Sequence, residues 1–143
     1  MPEKGENKKE LKDMSNNAKI VTVVVSLVLV IIISGVLTLS YLNRSCEKLE
    51  KTVTSAGLFI QSKQWDSAEK LLNDFESDWN KTKYSWAILL DHFEIDNIDN
   101  SYTKTKKYVE SKDYPSALAE LEALKEYIKH IPKKESFSLE NIM

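Results

Sequence analysis

The chain has 143 residues, 20 Lys and Arg against 22 Asp and Glu for a net charge of −2, and one cysteine, Cys46. So balanced a charge supplies no field that would gather nucleic acid, and a lone cysteine rules out an internal disulfide framework. Beyond residue 42 only about a hundred positions remain, enough for one modest core and too few for two.

Residues 1–19 are polar, rich in Lys, Glu and Asn, and carry no apolar periodicity, so the expectation is a disordered tail. From Ile20 to Leu42 the chain has 23 residues without a charge. As a helix this run reaches about 34 Å, enough to cross a hydrocarbon layer of about 30 Å. Its lipid partner is therefore the bilayer. The flank Ser40-Tyr41-Leu42-Asn43-Arg44 lacks the small residues of a signal-peptidase site, so an uncleaved anchor is expected. Lys4, Lys8, Lys9, Lys12 and Lys19 precede the span, against Arg44, Lys48 and Lys51 after it, which favours a cytoplasmic N-terminus and an extracytoplasmic domain.

Residues 43–132 read as helical, with only Gly57, Pro115 and Pro132 as breakers and no alternating run that would mark a strand. Leu42, Cys46, Leu49, Val53, Ala56 and Ile60 recur at intervals of four and three, a seam along a first helix that continues from the span. That seam permits a parallel homodimer, with Cys46 as an intermolecular disulfide. A second helix is expected from Asp66, capped by that carboxylate with Glu69 three residues on, and buried through Ala68, Leu72, Phe75 and Trp79.

In the third helix Trp86, Leu90 and Phe93 share one face, while Ile95, Ile98, Tyr102 and Val109 share another, so the buried surface turns near Asp91 to Ile95. Either the helix is long with a rotating face, or the backbone bends there. A fourth helix starts around Pro115, buries Ala117, Leu121, Leu124, Ile128 and Ile131, and is expected to stop at Pro132, leaving 133–143 as a tail. At an offset of 49, "SKQWDSA" (62–68) aligns with "SKDYPSA" (111–117), and Phe59, Ile60, Leu72 and Phe75 align with Tyr108, Val109, Leu121 and Leu124. The fold class is therefore all-α: a transmembrane helix and a four-helix domain of two antiparallel hairpins, distantly like tetratricopeptide repeats but with the wrong period for them.

Two groups of side chains are candidates for chemistry. Asp91, His92, Glu94 and Asp96 form a polar cluster; with Asp99, the His92 and Asp96 side chains fall at spacings that could place ligands beside a metal, although a zinc site wants three or four and no second Cys or His cluster exists. A solvated acidic face is the simpler account, except at Asp91, which falls in line with the apolar stripe and is expected to be partly buried. Trp65, Trp79 and Trp86 offer an aromatic groove, or simply core. No phosphate cradle, nucleophile motif or identifiable triad is present, and no cofactor is called for.

Asp78 to Ile98, "DWNKTKYSWAILLDHFEIDNI", followed by Ala117 to Glu135, "ALAELEALKEYIKHIPKKE", resembles an uncharacterised bacterial family of short single-span membrane proteins, a domain of unknown function. The specific part of the resemblance is the Trp79, Trp86, Asp91, His92 and Glu94 constellation. It implies a bacterial cell membrane and carries no activity over. The expected role is a membrane-anchored, non-enzymatic interaction or scaffold module with a membrane or envelope protein as partner and no nucleic acid. The alternative is a metal-assisted enzyme built on Asp91, His92 and Asp96.

Overall fold

The computed structural model describes the backbone of residues 3–140 and the side chains of residues 16–134. Among the described residues there are four α-helices and no strand: α1 (Glu3–Gln61), α2 (Trp65–Leu89), α3 (His92–Glu110) and α4 (Tyr114–Glu140). The chain divides into two compact units, Met1–Thr38 and Leu39–Met143, and α1 contributes to both.

In the first unit the backbone is helical from Glu3. Lys, Glu and Leu are good helix formers, and they extend a helix already nucleated by the apolar run, so each added residue gains a bond without the nucleation cost. Among the described residues one helix is long and apolar enough to cross a membrane. Every large apolar side chain from Ile20 to Leu37 is 43–66% exposed. The hydroxyls of Thr22, Ser26 and Ser34 are satisfied within the helix, donating to the carbonyls of Ala18, Thr22 and Ile31 at 2.8–2.9 Å.

The second unit is a four-helix bundle of two antiparallel hairpins. Ser45 and Lys48 of α1 meet Trp86 and Asp78 of α2; Glu76 and Trp79 of α2 meet Tyr102 and Asp99 of α3; Glu94 and Ser101 of α3 meet Lys134 and Glu120 of α4. Glu50 and Lys129, 4.0 Å apart, then join α1 to α4. Each pair matches an early residue with a late one, so neighbours run in opposite directions and the ring closes. The bundle begins at Leu39, ahead of the expected boundary at residue 43, because Leu42 packs into its core. An uncharged run reads alike whether it faces lipid or protein.

The two hairpin corners are built the same way. Lys63 and Lys112, 49 positions apart, both adopt the left-handed backbone, with φ of 57° and 58°. The amide of Gln64 donates to the Phe59 carbonyl at 2.8 Å and that of Lys63 to Ile60 at 2.9 Å; Asp113 donates to Tyr108 at 2.9 Å and Lys112 to Val109 at 3.0 Å. These paired bonds are the Schellman closure of a helix C-terminus. The internal repeat is thus present in the backbone as well as in the residues.

Three expected boundaries move. Gln64, not Asp66, sits at the N-cap of α2 and makes no side-chain cap bond; Asp66 lies in the first turn, where its charge still favours the helix N-terminus. The long third helix is divided: α2 runs unbroken to Leu89, Leu90 is extended (φ −119°, ψ 161°), and Asp91 starts α3. A break, not a rotating face, moves the apolar stripe. Finally, α4 passes through Pro132 to Glu140. Ile131 is locked in the core and Lys134 reaches Glu94 at 2.8 Å, so packing on both sides of the proline offsets the lost backbone bond.

Candidate functional site

The α2–α3 seam carries a set of partly buried polar contacts. Trp79 and Trp86, two turns apart on the same face of α2, meet edge to face with ring centroids 5.4 Å apart. Trp79 Nε1 donates to Asp99 Oδ1 at 2.6 Å, and Lys83 pairs with the other oxygen of the same carboxylate. Trp86 Nε1 donates to Ser45 Oγ at 3.3 Å. One turn along, Glu76 accepts from Tyr102 Oη at 2.9 Å and from Lys106 Nζ at 3.0 Å. The Lys106 bond, then the Tyr102 bond, hold the Glu76 carboxyl below its ordinary range, while burial and then Glu76 itself push the Tyr102 phenol up. Two indoles in a core each need an acceptor; Asp99, beside the apolar Ile98, and Ser45 were the available signals.

Of the two readings of the tryptophans, groove or core, Trp79 and Trp86 take the core one. Trp79 and Trp86 are 1% and 0% exposed, and Trp65 is a half-buried residue in the first turn of α2, about 20 Å along the helix from Trp79 at 1.5 Å per residue. Phe93, expected in the core beside Trp86, is exposed, because the break at Leu90 turns it outward.

The acidic cluster is dispersed as well. Asp91 is exposed and caps α3, accepting from the Phe93 amide at 3.1 Å, so its expected burial is corrected. With Glu94 at the third helical position, "DHFE" has the sequence of a capping box, the local signal that marks this helix start. Glu94 pairs with Lys134. His92 and Asp96 are exposed and make no hydrogen bond or ion pair among the described residues; with Asn80, Lys83, Tyr84 and Ile95 they line an open cleft of about 410 Å³ between α2 and α3. Among the described residues no group of three or more His, Cys, Asp or Glu side chains is gathered as metal ligands would be.

Cys46 is 4% exposed, and burial, followed by Glu50 and Glu47, pushes its thiol up to about 12. Together with Leu42, Leu49 and Val53 it packs inside the bundle, so the seam is occupied within one chain. The seam's alternative, packing within the domain, is the arrangement found, and it leaves the Cys46 sulfur buried.

Residues 36–142 match the domain of unknown function DUF4363. The chain belongs to that family. DUF4363 and the Leu39–Met143 bundle nearly coincide, so the family is defined on the helical unit and the last turn of the apolar run. No curated protein and no solved structure matches the chain.

Proposed function

We propose that this DUF4363 protein is a membrane-anchored helical interaction module of the bacterial cell envelope, with no catalytic activity of its own. One observation carries the reading: an exposed, lipid-length apolar helix adjoins in sequence a bundle whose acids and thiol are largely committed to structure. Asp91 caps a helix, Asp99 holds an indole and a lysine, Glu76 holds a phenol and a lysine, and Cys46 fills core. Among the described residues, the α2–α3 cleft keeps polar side chains uncommitted: Asn80, His92 and Asp96 present donors and acceptors over Ile95. That combination suits a polar segment of a membrane or envelope protein. The lysine bias ahead of the span supports a bundle on the extracytoplasmic side.

The test is made on the full chain in native membranes. The protein is expected to resist alkaline carbonate extraction, and a photo-crosslinker at Asn80 is expected to give one discrete adduct with another protein that a crosslinker at Leu58 does not give. Release by carbonate would overturn the anchor; absence of any adduct from the cleft would overturn the interaction site. Stoichiometric metal lost on His92→Ala would replace the reading with a metal-assisted one.

A further inference from the structure

The cleft between α2 and α3 is shaped by the register of the two helices. Trp79 bonds to Asp99 and Tyr102 to Glu76, three residues back on one helix and three residues on along the other. Carried forward, the same register sets Lys83 opposite Ile95. The open space there is about 410 Å³, with Ala87 and the buried Ile95 as its apolar base. Asn80 and Tyr84 stand one turn apart on the α2 side, and His92 and Asp96 one turn apart on the α3 side.

The charges lining this space do not balance. Lys83 is held by Asp99, the same carboxylate that accepts from Trp79 Nε1, so its charge is neutralised and its position fixed. Asp96 is exposed and has no ion pair or hydrogen bond among the described residues. With His92 neutral, one negative charge is left over. On the other wall Tyr84, 81% exposed, offers a ring face and a phenol that bonds to nothing among the described residues.

We infer that this cleft recognises arginine: a guanidinium borne by a polar segment of the partner protein pairs with Asp96 and stacks on the Tyr84 ring. The inference rests on the reading of the cleft as the interaction site and supplies the chemistry of what enters it. A guanidinium fits better than an ammonium, since it is planar, less strongly hydrated, and offers N–H donors in a fork that serves a carboxylate while its face lies on a ring. Its methylenes lie over Ala87 and Ile95, as basic side chains cover apolar surface while the charged head stays in water. Asn80 Oδ1 and the unprotonated imidazole nitrogen of His92 accept the N–H groups that Asp96 leaves free. An acidic segment finds no comparable reception, because Lys83 is already engaged and Asp96 repels it.

The test uses the full chain in zwitterionic detergent micelles at pH 8, with fluorotyrosine in place of tyrosine and the Tyr84 signal assigned by its loss in Tyr84→Phe. Three blocked pentapeptides are titrated, alike except for arginine, citrulline or glutamate at the centre. The arginine peptide is expected to shift the Tyr84 fluorine signal saturably at millimolar concentration, and the other two to leave it in place. Asp96→Asn should weaken the arginine peptide about five-fold, the upper end for an exposed ion pair. A shift with citrulline equal to that with arginine, a preference for glutamate, or no shift with any peptide overturns the inference. In native membranes the adduct from a photo-crosslinker at Asn80 is expected to fall several-fold in Asp96→Lys and to map to a partner segment that contains arginine. An adduct undiminished in that variant, or mapping to a segment without arginine, overturns the inference while the interaction site stands. No adduct at all removes the interaction site itself, and the inference with it.

Discussion

Cys46 shows how far a side chain's role depends on what surrounds it. Its seam spacing was visible in the sequence, but whether that seam faced another chain or its own bundle was not, because a stripe of apolar residues does not name its partner. With the thiol raised to about 12, little thiolate exists near neutrality, so alkylation at pH 8 is expected to be slow in the folded protein and to accelerate many-fold on unfolding, read by mass shift. Glu76 supplies a pH dependence of known sign. Its folded pKa is depressed below 4.5, chiefly by Lys106, so its stabilisation is complete above that value and is lost as pH falls through the folded pKa. Acid denaturation followed by circular dichroism should therefore lose part of its pH dependence in Glu76→Gln. The acids that the sequence brought forward, Asp91 to Asp96, turned out to serve a cap, an ion pair and an open cleft. Those that organise the seam, Asp99 and Glu76, are identified only by the tryptophan and tyrosine that seek them across 20 and 26 positions.

Helices were legible wherever apolar spacing was regular, and their ends were legible only where chemistry marked them. The corners at Lys63 and Lys112 were found through a repeat of seven residues, yet lysine stands at the left-handed position where glycine is the usual choice. Each such residue carries a steric cost of about 1–2 kcal/mol. Lys63→Gly and Lys112→Gly are therefore expected to raise unfolding stability by about 1 kcal/mol apiece, measured by urea titration, since the corner's backbone bonds are unchanged. A drop in stability in either variant would mean that the lysine side chain contributes more than its backbone strain costs. The start of α3 was missed because two Asp-x-x-Glu sequences compete for the role: Asp66 with Glu69 sits inside a helix that begins earlier, while Asp91 with Glu94 marks a start. Local pattern alone does not rank them; the preceding corner does.

The bundle as a unit depends on closing its ring, and the closure runs through Gly57. A Cβ built there comes within 3.0 Å of Leu121 Cδ2, so α1 and α4 approach as closely as a glycine permits. Gly57→Ala gains helix propensity of about 0.8–1 kcal/mol against a small shift of Leu121, leaving little net change. Gly57→Val overpacks the contact and is expected to cost about 1–3 kcal/mol in thermal or urea unfolding. The two-hairpin, all-helical design was readable from periodicity and the 49-residue offset, whereas the order of packing was not, because the ion pairs that define it join residues far apart in sequence.

The matching corners also bear on how such a protein could arise and be taken apart. Each hairpin taken alone would expose one apolar side, Leu72, Phe75 and Trp79 on one and Ile98 and Tyr102 on the other, which the bundle buries between them, and the covalent link is the short extended step at Leu90. A tandem duplication of one hairpin would supply both halves already complementary. Cut at that step, the two fragments should still find and hold each other, like separate subunits of a dimer that gene fusion had joined.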